Sequence, residues 1–559
     1  MSLKPFWIKH KFWLTSHSMS ISPPSDGSRV IAGLNSQHNG QGHSLRDHLC
    51  FLVPILVTYL ALSFFKIGSQ SLWVDEVLSL RYIDADQIDS ALWRGPRPLY
   101  FALLHLWAQL GTSEAVLRTL SVLIGGMSVL LTFCIGLRCF GVRVARIGTI
   151  LFATSPFLIW YSQEVRYITL LIAASVFSMY AFQEALRTDR VKWWMGYSCS
   201  LIVAIGAFVT NVFVMAAQIG YVTFSRPHRR VLRNALISQL LVLGLFIWWA
   251  NGFEHRGLGG YLKRFSHEVT LTSQELSSLG RAEGLSTGGK RAFEVAAVPY
   301  TLFALSTGFS IGPSVRELQI GRSASALKPY ALLVAGLGIL FGGLFFLGLF
   351  ALWKEADKGL FFTLWLVVPV VGVCAISAMT AMAYNVRYVA MVLPAYALIL
   401  AAGMGRLASG WVQILLLAAV LLVNGFSLGN YHFNPRYARE DARAAALYLE
   451  SVVGPHDPIV VVGNATALGY YYKGNRALES WSGIDQDGEL AGVNGSAQLR
   501  GNCGRVWLVE IRPWEREPKG RAKAMLGEAH DLVGSESFPG VDIYAYRKKS
   551  DLACMPFAS

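Results

Sequence analysis

Apolar residues in this chain come in long blocks. "FLVPILVTYLALSFF" gives way to a polar stretch, then to "AVLRTLSVLIGGMSVLLTFCIGL" and, much later, to "PYALLVAGLGILFGGLFFLGLFALW". A run of about 20 apolar residues crosses a hydrocarbon core as a helix, because a helix satisfies its own backbone polar groups. Such runs predict about eleven spans, near 49–66, 115–137, 144–161, 164–186, 194–210, 212–225, 234–251, 329–353, 360–380, 386–403 and 411–428. The 212–225 run is short, so 194–225 also reads as a shallow hairpin. "PLYFALLHLWAQL" (98–110) is apolar but too short to span, and counting it would invert every later loop. It is read as an interfacial helix.

After residue 429 the pattern changes. "YAREDARAAALYLESV" has helical periodicity and precedes the β-like runs "PIVVVG", "RVWLVEI" and "DIYAYR". The fold class expected is an all-α polytopic membrane protein, 49–429, followed by a small α/β domain over 430–559. Residues 1–48 are basic, rich in Ser, Gly and His, and lack a signal-peptide apolar core, so they read as a disordered cytoplasmic tail. Translation starting at Met1 and at Met19 both fit the sequence.

Composition agrees: 53% of the 559 residues are hydrophobic and 15% charged, against about a quarter charged in soluble domains. The net charge of +14 gathers beside the ends of apolar runs: Arg138, Arg143 and Arg146; Arg187, Arg190 and Lys192; "RPHRRVLR" (226–233); Lys354 and Lys358. By the positive-inside rule these turns are cytoplasmic. The N-terminus is then cytoplasmic, and 67–114, 252–328 and everything past 429 lie outside. No nucleic-acid-binding motif accompanies the charge, so nucleic acid is not expected as a partner. Of seven cysteines, Cys503 and Cys554 belong to the polar tail, where an oxidising compartment would permit a disulfide.

Four stretches carry candidate chemistry. "SLWVDEVLSL" sets Asp75 and Glu76 side by side in the first outer loop. A carboxylate partly desolvated at the membrane face has a raised pKa and is a better general base; a headgroup-facing acid pair is the plainer alternative. "SPFLIWYSQEVRYITLL" puts Glu164 and Arg166 at the boundary of two spans joined by almost no loop. There an ionisable residue faces either a cavity or a partner. In "AMAYNVRYVAMVLPAY", Arg387 stands just inside a span, where a guanidinium suits a phosphate or snorkels to the interface. The loop 252–328 carries Glu254, His255, Lys263, Arg264 and His267, and its second half reads as another interfacial helix ending at Gly312-Pro313. Its basic residues could close over a lipid-linked substrate, and ordinary loop composition explains them equally well. The chain has no G-x-x-x-x-G-K-[ST] or H-E-x-x-H sequence, which argues against an ATP-driven pump and against a zinc hydrolase. His255 and His267 are the only hint of a divalent metal, and the metal is left open.

In order, the "DE" pair, "RPLYFALLHLW", "SEAVLRTLSVLIGG" and "SPFLIWYSQEVRYITLL" resemble the GT-C membrane glycosyltransferases, in the bacterial branch of protein O-mannosyltransferases, aminoarabinose transferases and RgtA/B/C/D-like proteins. The resemblance covers roughly residues 49–220, and "YNVRY" more loosely. It implies a multi-pass protein of the bacterial inner membrane that takes sugar from a polyprenyl phosphate and passes it, with inversion, to a hydroxyl of a glycan, lipid or protein. The family's catalytic acid maps onto Asp75 with Glu76 beside it, and its second acid onto Glu164. Its donor-phosphate arginine resembles Arg387, and Arg166, Lys263 and Arg264 are further cations for the phosphate. "RPLY" stands where many relatives have "PPLY", making Arg97 a departure. No W-W-D-[YW]-G sequence of the oligosaccharyltransferase branch is present. A transporter or flippase of lipid-linked glycans is the chief rival reading, and it predicts inverted repeats with helices broken near the midplane.

Overall fold

The computed structural model describes residues 45–83, 97–252, 297–314, 316–317, 328–379, 384–481, 505–516 and 520–549. Each of the eleven apolar runs is helical. In chain order the helices are α1 (Leu45–Phe64), α2 (Val74–Leu80), α3 (Pro98–Ala108), α4 (Glu114–Phe140), α5 (Val142–Ala153), α6 (Pro156–Ser162), α7 (Ile168–Thr188), α8 (Val191–Ala207), α9 (Val212–Ser225) and α10 (Arg229–Gly252). There follow α11 (Ala297–Thr307), α12 (Ala331–Leu337), a π-helical turn Gly338–Gly342, α13 (Gly343–Trp353) and α14 (Ala356–Met379). A 3-10 segment, Val386–Val392, leads into α15 (Leu393–Gly405), and α16 (Gly410–Phe433) closes the bundle. Among the described residues eight helices are long and apolar enough to cross a membrane, or nine if α5 and α6 form one bent span. The hairpin α8–α9 is the short pair, at 17 and 14 residues.

Local chemistry fixes the ends that matter for the site. Ser113 caps α4, its hydroxyl accepting from the Val116 amide at 3.4 Å, and Gly141 at φ 85° ends it. Ser155-Pro156 divides α5 from α6: proline has no amide proton and disfavours helical backbone in the residue before it. The axis turns there by 52°. The short apolar helices α3 and α11 fall where interfacial helices are expected.

The segment Val386–Gly405 is 94% buried within the protein and Ile168–Thr188 83%, against 28% for Gly410–Phe433 and 22% for Arg229–Trp249. The first two are therefore the core of the bundle, and the last two are its rim. Rim side chains such as Leu240, Trp411 and Phe426 are exposed and apolar, as a lipid-facing surface requires. α13 and α15 approach each other closely. A Cβ on Gly348 would collide with the Ile399 carbonyl, and one on Gly403 with the Leu344 carbonyl. Small residues at such a crossing let backbones approach, the usual way membrane helices gain packing energy.

The tail forms a five-stranded sheet in the order β2-β1-β3-β5-β4, from β1 (Ile459–Val462), β2 (Leu478–Ser480), β3 (Arg505–Ile511), β4 (His530–Phe538) and β5 (Val541–Lys548). β1 is parallel to β2 and β3, while β5 is antiparallel to β3 and β4. α17 (Ala442–Val452) packs Ala445 and Leu449 on Val461, Val509 and Ile543. α20 (Arg521–Ala529) packs Ala522 and Leu526 on Val460, Val506 and Leu508 across the sheet. The three apolar runs are thus the inner strands. β4 was not legible: "HDLVGSESF" is polar, almost wholly exposed, and paired only with β5.

The crossing of α13 and α15 makes a direct prediction. Gly348→Val should lower the thermal unfolding midpoint in lipid nanodiscs by an amount equivalent to about 1–3 kcal/mol, the usual cost of overpacking. Gly244→Ala, where an added methyl meets nothing, should leave the midpoint in place.

Candidate active site

Asp75 and Glu76 occupy the first turn of α2, and both are buried. Glu76 sits at the third helical position and reaches back to the Trp73 amide at 3.3 Å. Its Oε1 accepts from Arg118 Nε at 3.0 Å and from the Val165 amide at 2.8 Å, and its Oε2 accepts from Arg118 Nη2 at 3.0 Å. Arg118, on α4, spends its remaining donors on the carbonyls of Ile67 and Gln70, both at 2.8 Å, and Ser71 at 3.2 Å. One buried ion pair therefore joins α2, α4, the loop before α2 and the turn between α6 and α7. Burial pushes the pKa of Glu76 up, but Arg118 outweighs it and the net shift is downward.

Asp75 is left to face a different set. Its Oδ2 lies 2.5 Å from Arg387 Nη1 and 3.2 Å from Arg166 Nη2, while its carbonyl accepts from Arg166 Nη1 at 3.0 Å. Arg387 is held in reach by the 3-10 segment, where the Asn385 side chain accepts from the Arg387 amide at 3.1 Å. Arg166 comes from the turn after α6. Arg97 stacks its guanidinium over Tyr167 at 4.4 Å and Phe208 at 5.4 Å, and its charge also acts on Asp75. Burial raises the pKa of Asp75, and the charges of Arg166 and Arg387 overcome that and hold it well below the usual carboxylate range. The sequence-based expectation of a raised pKa is thereby corrected. Desolvation acts as anticipated, and paired guanidiniums are the stronger effect.

Glu164 stands on the same turn. Its Oε1 accepts from Trp160 Nε1 at 2.9 Å and lies 3.0 Å from Arg439 Nη2. Here burial wins over Arg439, and the pKa is raised. The charges can then be paired off. Glu76 is matched by Arg118 and Glu164 by Arg439, so Asp75 alone is set against Arg97, Arg166 and Arg387. Among the described residues, two cationic charges remain without a carboxylate. The Nε of each of these three arginines, the hydroxyls of Tyr100 and Tyr167, and Trp73 Nε1 are buried with no hydrogen-bond partner among the described residues. Buried donors of this kind are costly unless something accepts from them.

The fold thus gathers Asp75, Glu76, Glu164, Arg166 and Arg387 from three separate stretches. Lys263 and Arg264, with His255 and His267, lie outside the described residues, as do Cys503 and Cys554. Among the described residues no group of three His, Cys, Asp or Glu could hold a metal ion. Arg118 and Arg439 were missed by sequence reasoning. Arg118 had a signal, being a charge inside an apolar run; Arg439, in the polar tail, had none.

Residues 94–251 match the family model described as dolichyl-phosphate-mannose-protein mannosyltransferase. No curated protein matches the sequence. Among solved structures, ArnT from Cupriavidus metallidurans bound to undecaprenyl phosphate aligns with a TM-score of 0.53 at 13% identity, covering 89% of this chain and 98% of that one. The apo state of the same protein gives 0.52 at 13% identity with the same coverage. The archaeal oligosaccharyltransferase AglB from Archaeoglobus fulgidus aligns more loosely, at 0.47 and 12% identity over 91% of this chain and 75% of its own. The family match thus covers the α3–α10 region, and the fold is similar to that of ArnT over nearly the whole chain.

Proposed function

We propose that this protein transfers a sugar from a polyprenyl-phosphate donor to a hydroxyl acceptor on the extracytoplasmic side of a bacterial inner membrane, with inversion, using Asp75 as the base. The observation that carries this reading is the setting of Asp75: one carboxylate among three guanidiniums, each with a buried Nε that has no partner among the described residues. Such a site is built for an anion that carries more than one charge.

The acceptor oxygen attacks the anomeric carbon as the bond from that carbon to the phosphate oxygen breaks, and the electron pair leaves with the phosphate. The acceptor proton passes to Asp75. A phosphodiester with one charge becomes a monoester with up to two, and the two unmatched cationic charges are placed to stabilise that increase. The oxocarbenium character of the transition state gains from the nearby carboxylates. A carboxylate clamped by two arginines is a weak base. As the donor phosphate draws Arg166 and Arg387 toward itself, Asp75 recovers proton affinity, so the base is armed by donor binding. Glu76, its oxygens occupied, acts here by holding α2 in place.

The side of the membrane is supported by α4, which runs from Glu114 at the site end to Arg138 at the other. Arg143 and Arg187 also lie at the end remote from Asp75, and cytoplasmic loops carry such residues. The acceptor is a hydroxyl of a cell-envelope glycan, lipid or protein, and the ArnT complex with undecaprenyl phosphate supports a lipid-linked donor.

Three outcomes follow. In nanodiscs supplied with radiolabelled polyprenyl-phosphate sugars and an envelope extract, Asp75→Asn should reduce transfer by about 10²–10⁴-fold, the range for general-base loss; equal transfer by both proteins defeats the mechanism. Because Asp75 is depressed in the free protein, it stays ionised as pH falls and is lost only below the ordinary carboxylate value of about 4. The acid limb of kcat/KM should therefore lie lower than that of kcat, which reports the donor-bound form. Glu76→Gln should destabilise the fold by roughly 3–5 kcal/mol at neutral pH, the cost of stranding a buried partner, as read by thermal unfolding. Since Glu76 is also depressed, that difference should persist through the usual carboxylate range and shrink only at more acidic pH.

A further inference from the structure

The segment leading out of α16 toward the C-terminal sheet is built into the site. Arg439 lies just past the 3-10 turn Pro435–Tyr437. Its side chain is 7% exposed and its guanidinium carbon sits 4.6 Å from the Trp160 ring centre and 5.8 Å from that of Tyr431. Besides Glu164, it donates to the carbonyls of Trp160 at 3.2 Å and Gln163 at 3.3 Å. The carbonyl of the next residue, Glu440, accepts from Ser71 Oγ at 2.6 Å, just ahead of α2. The β4–β5 turn closes on the same backbone from behind. The Asp441 amide donates to the Pro539 carbonyl at 2.8 Å. Gly540, at φ 71°, has no room for a Cβ against Glu440. From α18 (Thr466–Tyr471), the Tyr471 hydroxyl accepts from the Leu72 amide at 2.7 Å.

We propose that Arg439 is a positioning residue for the transfer reaction, through which the C-terminal domain holds the 160–167 turn and the entry to α2 in register. The inference rests on Asp75 being the reaction centre, since the turn carries Arg166 and the entry carries Asp75. A forked guanidinium is required for this task. It bonds three acceptors in fixed directions, whereas a lysine supplies one mobile point charge. Glu164 is faced by Arg439, Arg166 and Arg387 as cations and by Glu76 as an anion. Removing Arg439 leaves a buried carboxylate short of its contact partner, and it then holds its proton to higher pH.

The test uses the full-length protein in nanodiscs with a polyprenyl-phosphate sugar, and compares Arg439→Met, Arg439→Lys and Tyr471→Phe. Arg439→Met should lower kcat by about 10²-fold, the scale of a small misplacement at a reacting centre. The donor KM should change little, and the acid limb of kcat should move to higher pH. Arg439→Lys should restore the pH profile while leaving kcat low, because charge returns and the fork does not. Tyr471→Phe should lower kcat at constant KM. If Arg439→Met does not fold, the other two variants carry the test. Folded variants with wild-type kcat and pH profile overturn the proposal, as does a loss that tracks only the amount of folded protein. Either result leaves Asp75 in place, whereas activity in Asp75→Asn removes the reading beneath it.

Discussion

The buried ion pair between Glu76 and Arg118 is the constraint on which the rest of the site depends. Two charges this deep are tolerated only when both are fully hydrogen-bonded, and here each is. Glu76 takes two N–H groups of Arg118 and the Val165 amide, while Arg118 also closes three carbonyls of the loop before α2. Because that pair is self-sufficient, α2 has a fixed position and Asp75 a fixed direction. The neighbouring carboxylate is then free to meet a separate group of arginines. Two adjacent acids of similar chemistry thus meet different partners.

Irregular backbone provides the remaining geometry. The break at Ser155-Pro156 turns α6 so that the next turn delivers Glu164 and Arg166 at the end of the bundle. The 3-10 start of the deepest span does the same for Arg387. Away from water, non-helical backbone persists only where protein surrounds it, and both segments are buried. The glycine contact between α13 and α15 seats the span that carries Arg387. Packing far from the chemistry therefore bears on it.

The sheet of the tail is continuous with this arrangement. Arg443 reaches Glu114 at 3.2 Å and the Ser69 carbonyl at 2.7 Å, and Tyr471 hydrogen-bonds Glu114 as well. The end of α4 nearest the site is thus tied to the C-terminal domain as firmly as to its neighbours in the bundle. Membrane helices and sheet meet around the same loop, the one that presents Asp75.

The sequence by itself determined the apolar helices, the three inner strands and the ends at which basic residues collect, although of the eleven expected spans only eight or nine are long enough to cross a membrane among the described residues. Each of these depends on a local property: the length of an apolar run, its period, or the charges flanking it. It also pointed to Asp75, Glu164, Arg166 and Arg387, since ionisable groups at the edge of apolar runs are costly enough to be conspicuous. Only the tertiary structure decided which acid pairs with which arginine. That choice separates Glu76 from Asp75 and depresses the pKa of both while that of Glu164 is raised, because Coulomb interactions fall with distance and distance is set by packing. Arg439 shows the limit most plainly. In the chain it is one arginine in a polar tail, and only folding places it against two aromatic rings beside a buried carboxylate.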